Sequence, residues 1–358
     1  MTKGIGSKKA VLNGLRLTGL HRLLRPLTGG MGAILTFHRV RPPTGEAFQP
    51  NANLEVTPEF LADAIDWLRR REIDIVTMDE ALRRLKEGSP RRFAVITFDD
   101  GYRDNRDHAL PVLKARNAPF IIYVPTGLID RAVNPWWMTL EEVIRRNDRV
   151  AIPGAGDFTT TTVAEKSSAY DALGDWLESI PEVQQRAAAD DLARRYGFDV
   201  RAMVDEAVMT WDELAGVAAE PLVTIGAHTV NHVALGKLSE EDVRREVLDG
   251  AAILEERLGA WPRHFAYPYG FDPMVTERDW RILADLGFAS AVRTEPGVLS
   301  SASTRQTTGL PRISMNGHFQ ELRYVDVLLS GVPFALQGLA ARITGGRPKV
   351  QLKASAST

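Results

Sequence analysis

The sequence of 358 residues predicts an α/β fold built on a parallel sheet or barrel. Three observations predict it. Short runs rich in Ile, Val, Phe and Tyr recur along the chain, separated by amphipathic stretches of helical period. Strand and helix alternate serially up to residue 130 and again after residue 219, as crossover connections between parallel strands require. Two clusters of acidic and imidazole side chains each follow such a run directly, where the carboxyl ends of barrel strands gather.

In chain order, Ala33 to Phe37 reads as a buried strand ending at His38, and Pro42-Pro43-Thr44-Gly45 as a loop. Thr57 caps a helix with Pro58 at its first position and Phe60, Leu61, Ala64, Ile65 and Leu68 on its apolar stripe. A strand at Ile73 to Val76 and a helix at Met78 to Glu87 follow, then a strand at Phe93 to Phe98. A helix is expected from Asp104 to Arg116, capped by Asp104 and Asn105, before a strand at Phe120 to Val124. Residues 131–219 break the rhythm with Trp136-Trp137, a Gly/Thr-rich piece and mostly helical sequence. They read as an insertion in one βα loop, at the rim where an active site would lie. A strand at Leu222 to Ile225 leads to His228. Ser239 opens a helix with Val243, Val247, Ala251, Leu254 and Leu258 on one face. A strand at His264 to Tyr267, a helix near Val275 to Leu286 and a strand at Phe288 to Val292 complete the pattern. The expected organisation is a basic amphipathic segment over 1–30, a catalytic domain over 31–322 with the helical insertion at 131–219, and an apolar and basic tail over 323–358.

Cysteine is absent, so a metal here would need His, Asp or Glu ligands. The net charge of −2 hides basic ends on an acidic body. Lys3, Lys8, Lys9, Arg16, Arg22, Arg25, Arg39 and Arg41 precede the first acidic residue, Glu46, and only Arg342, Arg347, Lys349 and Lys353 carry charge after Asp326. These ends are interleaved with leucine, which favours an anionic lipid surface over nucleic acid. The leucines at 15, 17, 20, 23 and 24 suit either an interfacial helix or one packed on the protein's own body. No secretory signal or spanning segment is legible, so the expected location is cytoplasmic, with peripheral contact to the inner face of the membrane.

The chemistry concentrates at Thr97-Phe98-Asp99-Asp100-Gly101-Tyr102. Two adjacent carboxylates at the end of a buried strand repel each other and lose solvation. A cation on one of them relieves that and leaves the other as a base. His228 and His232, four residues apart, could face one cation together if helical. Two imidazoles and a carboxylate make a hydrolytic zinc set with a place left for water.

These motifs resemble those of the NodB-type polysaccharide deacetylases, carbohydrate esterase family 4, over roughly residues 33–316. The resemblance implies a distorted (β/α) barrel with fewer or less regular strands than eight, acetyl removal from oligo- or polysaccharide, and a divalent metal, zinc above all. It implies Asp99 as general base and Asp100, His228 and His232 as metal ligands. Ala266-Tyr267-Pro268-Tyr269-Gly270 resembles the third family motif, which implies the Tyr269 N–H as oxyanion donor. Ala266 replaces the motif's Arg, leaving Arg263, Arg293 and Arg312 as substitutes. The Tyr-Pro-Tyr-Gly form, and His38 after the first strand, are similar to the subgroup acting on poly-N-acetylglucosamine-like polymers. His318 is the candidate general acid, with an exposed loop histidine as the alternative. Trp136 and Trp137 read either as a stacking surface for sugar or as anchors of the insertion. His264 reads as packed, and His21 and His108 as surface residues. The expected function is therefore a metal-dependent deacetylase of a chitooligosaccharide or an exopolysaccharide intermediate, in which metal-held water attacks the amide. Hydrolysis of a small cyclic amide or ureide, and carbohydrate binding without catalysis, are the rival readings.

Overall fold

A computed structural model describes residues 2–344. Seven parallel strands close into a barrel in chain order: β1 (Gly32–Phe37), β2 (Phe93–Asp99), β3 (Phe120–Val124), β4 (Val223–Ala227), β5 (His264–Ala266), β6 (Ser290–Pro296) and β7 (Leu310–Ser314). The ring closes where β1 pairs with both β2, in register Leu35 to Ile96, and β7, in register Leu35 to Ile313. Asp74–Ile75 adds a short strand beside the start of β2.

Side-chain alternation sorts each strand into two faces. Ile34, Val95, Ile121, Tyr123, Ala266, Val292 and Leu310 fill the barrel interior. Leu35, Phe37, Ile96, Phe98 and Ile122 face the outer helices. Phe98 is fully buried there against Phe37 and Phe120, with ring centres 5.4 and 5.6 Å away. Truncating such a ring costs roughly 3–5 kcal/mol. The same parity that turns Val95 inward turns Thr97 and Asp99 inward, and Leu310 predicts the inward course of Arg312. Gly226 of β4 is small because a Cβ there would strike the Tyr123 ring.

The helices are α1 (Thr2–Leu17), α2 (Leu20–Thr28), α3 (Pro58–Arg70), α4 (Met78–Glu87), α5 (Leu110–Ala115), α6 (Trp136–Arg146), α7 (Val163–Ser179), α8 (Glu182–Arg195), α9 (Glu240–Leu258), α10 (Glu277–Asp285), α11 (Leu322–Leu329) and α12 (Val332–Thr344). Two further helices, Val200–Ala207 and Trp211–Ala218, precede β4, and a single turn, Thr126–Ile129, follows β3. Thr57, Thr77 and Ser239 cap α3, α4 and α9 with their side-chain oxygens. The insertion after β3 holds α6 to α8 and builds its own core from Trp136, Trp137, Leu140, Val143, Leu173 and Leu192. Its Gly/Thr-rich piece is a hairpin, Arg149–Ile152 paired with Gly156–Thr159. Trp211–Ala218 packs against β4 and α9 as a barrel helix does, although it falls inside residues 131–219.

Two local expectations are corrected. Asp104 and Asn105 do not cap the helix after β2. Asp104 accepts the Val40 N–H at 3.0 Å and Arg39 at 2.8 Å, and Asn105 donates to the His38 carbonyl at 2.8 Å. They fasten the exit of β1 to that of β2, and the chain passes through a π-turn at Asn105–Ala109 before α5. His21 is not on the surface. It is 1% exposed, with Nδ1 on the Leu15 carbonyl and Nε2 3.3 Å from Asp326, which also pairs with Arg25. The first and last described helices thus share a core: Leu12 and Leu15 of α1 pack with Tyr324, Val327 and Val332. The basic positions Arg347, Lys349 and Lys353 lie outside the described residues.

Candidate active site

The carboxyl ends of six barrel strands supply the site. β2 delivers Asp99, 2% exposed, and Asp100, 3% exposed. The two carboxylates have separate partners. Arg312 of β7, itself 1% exposed, grips Asp99 with Nη1 to Oδ1 at 2.8 Å and Nη2 to Oδ2 at 2.6 Å. Its Nε donates to the Arg293 carbonyl at 3.0 Å, which sets the plane of the fork. Burial alone would raise the Asp99 pKa, but the Arg312 charge and its hydrogen bonds outweigh burial and hold it below the usual carboxylate range. Of the three arginines open as substitutes for the missing motif Arg, only Arg312 does this. Arg263 pairs with Asp79, and Arg293 stacks on Trp280.

Asp100 faces imidazoles. Its Oδ1 lies 3.5 Å from His228 Nε2 and 3.3 Å from His232 Nε2, and is buried without a hydrogen-bond partner. Arms of about 2.0–2.1 Å to a tetrahedral ion put neighbouring ligand atoms about 3.4 Å apart. The three side chains therefore fit one divalent cation. His228 Nδ1 lies 2.6 Å from the Ala266 carbonyl, so it carries the proton and leaves Nε2 bare for a metal. The expectation that helical spacing aligns the pair is corrected: His228 to His232 is a loop, turned by left-handed Thr229 (φ 66°) and His232 (φ 52°). Glu246 of α9 holds that loop by accepting from Val230 N–H, Asn231 N–H and Asn231 Nδ2 at 3.2, 3.0 and 2.6 Å.

Strain is concentrated here. Of the seven non-glycine residues with positive φ among the described residues, Asp100, Thr229, His232 and Tyr269 are in the site. Each costs on the order of 1–3 kcal/mol and persists because its surroundings over-determine it. Tyr269 shows how. Its carbonyl accepts from Thr294 Oγ1 at 2.5 Å, and its hydroxyl accepts from Trp136 Nε1 at 2.9 Å and donates to Gln185 at 3.3 Å. Its own N–H has no protein acceptor among the described residues.

A cavity of about 350 Å³ opens above these groups. Trp136 and Trp137 line it and also anchor the insertion, being 7% exposed each. Trp137 donates to the Tyr102 hydroxyl at 3.1 Å and its ring lies 4.8 Å from that of His232. His38 lines the floor, with Nε2 3.8 Å from Asp99 Oδ2. His318 lines the same cavity beside Phe319 and, from α1, Gly4, Ile5 and Lys8. Burial lowers the pKa of both imidazoles; the charge of Lys9 adds to this at His318. His264 is packed away from the site on Ser290, and His108 is half-buried on the helical layer. The sequence reading did not find Glu246, Gln185 or Thr294. A carboxylate one helix away and an amide in the insertion carry no local signal of what they hold.

Residues 86–169 and 174–291 match the polysaccharide deacetylase family. Among solved structures, the chain is similar to the Streptococcus pyogenes deacetylase PplD in complex with acetate, at 19% identity and a TM-score of 0.55, over 83% of this chain and 97% of that one. It is similar to IcaB from Ammonifex degensii at 20% identity and a TM-score of 0.52, over 85% of this chain and 98% of the other. It is similar to a de-N-acetylase from Aggregatibacter actinomycetemcomitans at 13% identity and a TM-score of 0.53, over 83% and 99%. At these identities the likeness is one of fold. No curated protein sequence matches.

Proposed function

The chain belongs to the polysaccharide deacetylase family, and from that premise we propose that it is a metal-dependent hydrolase removing acetyl groups from N-acetylated sugars of an oligo- or polysaccharide, with Asp99 as general base. The observation that carries this reading is the division of labour between two adjacent buried carboxylates. Asp100 faces two imidazoles, and Asp99 faces an arginine and the cavity. A protein that only bound sugar would have no use for the second carboxylate.

Asp100, His228 and His232 would hold the cation, zinc being the ion this ligand set suits best. Bound there, a divalent cation supplies Lewis-acid polarisation of the acetyl carbonyl and acidifies water. Asp99 accepts the proton of the attacking water, and Arg312 keeps it ionised and fixed in plane. The Tyr269 N–H faces the charge that develops on the carbonyl oxygen. The proton that Asp99 has taken returns to the leaving amine through one of the two imidazoles in the cavity, His38 or His318, and the Trp136 and Trp137 rings give the sugar an apolar wall. One water is consumed, the C–N bond breaks, and acetate and a free amine leave. An exopolysaccharide intermediate or a chitooligosaccharide is the substrate class this reading names.

The test is acetate release from N-acetylglucosamine oligomers by protein stripped of metal and then resupplied with zinc or cobalt. Release should depend on the metal. Asp99→Asn should lose roughly 10²–10⁴-fold while still binding one ion, and Asp100→Asn should lose the ion as well. Full activity after chelation, or in Asp99→Asn, would refute the assignment.

A further inference from the structure

The first two and the last two described helices build a face that the chemistry above does not use. α1 and α2 pack against α11 and α12 respectively. Six of the ten large apolar side chains exposed among the described residues lie on α1, α2 and α12: Val11, Leu17, Leu23, Leu27, Leu336 and Leu339. Leu17, Leu23 and Leu27 are 87, 74 and 84% exposed. Leu23 and Leu27 are four apart and Leu336 and Leu339 three apart, so each pair is a stripe on one side of its helix. A folded domain gains nothing by showing such stripes to water.

The charge on the same helices is of one sign. None of the three contains an acidic residue. Arg16, Arg22 and Arg342 are exposed and make no ion pair among the described residues. Elsewhere on the molecule exposed arginines are repeatedly matched with Asp or Glu, as Arg83 is with Glu80 and Glu87. Exposed leucine with unopposed arginine is the composition of a helix lying in a lipid headgroup layer. No single described helix is long and apolar enough to cross a bilayer; α11 and α12 together pass by length and composition but are bent by 53°. α11 is committed to the protein, with Tyr324, Val325, Val327 and Leu329 buried and Asp326 in the ion pair with Arg25. A spanning course through α11 and α12 would have to pull α11 out of that core.

We propose that the α1, α2 and α12 face docks on an anionic phospholipid surface, with its leucines in the acyl boundary and its arginines among the headgroups. The start of α1 also lines the catalytic cavity through Gly4, Ile5 and Lys8. Docking then sets the cavity beside the bilayer, within reach of a glycan still joined to a lipid. That consequence rests on the deacetylase reading; the docking does not.

The test is sedimentation of the full chain with phosphatidylcholine vesicles, with and without phosphatidylglycerol. The wild type should bind the anionic vesicles and release in high salt, at about fivefold per cation engaged. Leu23→Glu/Leu27→Glu and Leu336→Glu/Leu339→Glu should each weaken binding about tenfold or more. Both should keep the wild-type melting temperature and rate of acetate release from soluble oligosaccharide. Failure to bind anionic vesicles, or equal binding by the variants, would overturn the proposal. So would light scattering that shows a dimer in solution which the same substitutions dissociate, since a second copy would then cover the face. Vesicle binding without any deacetylase activity would sustain the docking and fail only the catalytic reading.

Discussion

Replacing Arg312 with Met is the sharpest perturbation of the site. The side chain is 1% exposed and its guanidinium makes two parallel bonds to a carboxylate that is 2% exposed. At an effective dielectric of about 20 and a charge separation of about 4 Å, their attraction is about 4 kcal/mol. Breaking a buried pair from one side typically costs about 3–5 kcal/mol, because the remaining charge is left desolvated. The two figures agree, so Arg312→Met should lower the unfolding free energy by about 3–5 kcal/mol, read from urea titrations. Activity should fall roughly 10²–10⁴-fold, the loss expected of Asp99→Asn, because an unpaired buried Asp99 neutralises and turns. The decisive arm is Asp99→Asn/Arg312→Met. Once the charge is gone the arginine has less to stabilise, so the double variant should regain about 2 kcal/mol or more over the sum of the two losses. Its kcat/KM should be no worse than that of Asp99→Asn. Additive losses in stability, or wild-type kcat/KM in Arg312→Met, would refute the assignment of Arg312 as the group that positions and charges Asp99.

Two further outcomes are expected. His38→Gln and His318→Gln separate the two imidazoles of the cavity: the proton donor should cost roughly 10²–10⁴-fold in kcat with KM little changed, and the other should alter mainly KM. Equal small effects in both would move the donor to another group. Burial lowers His264 to about 4, against about 6.5 in an unfolded chain, so it stays neutral in the fold while the unfolded state takes up a proton. The sign follows: its contribution is complete above about pH 6.5 and is lost as pH falls toward 4, about 2 kcal/mol of it by pH 5. His264→Gln should flatten the fall in urea midpoint between neutral and mildly acidic pH; an unchanged fall would show that other groups set it.

Much of this molecule is legible in its residues for identifiable reasons. Strand alternation in Phe93–Asp99 turns Asp99 inward, and the serial strand–helix pattern implies a barrel whose strand ends gather Asp99, Asp100 and the histidines. What stays hidden depends on partners distant in sequence. Three arginines were equally good candidates beside Asp99 until β7 returned next to β1. His21 reads as a surface residue in sequence, and Asp326, the partner that meets its buried ring, lies 305 residues later. Asp104 and Asn105 have the composition of a cap, and tertiary hydrogen bonds to Val40 and His38 claim them instead. The left-handed turns at Thr229 and His232 have no glycine to announce them; Glu246 holds their loop from another helix.

Because the ring is laid down in chain order, its seam has a consequence for synthesis. Asp99 emerges from the ribosome 213 residues before Arg312. At about 5–20 residues per second, that interval is roughly 10–40 s. Throughout it β1 has one open edge and Asp99 lacks its guanidinium, so a nascent or truncated chain can neither close the ring nor hold that carboxylate in place. On the role proposed for Asp99, the site stays incomplete until β7 exists, and in the meantime the unpaired edge of β1 is the place where a chaperone has most to protect.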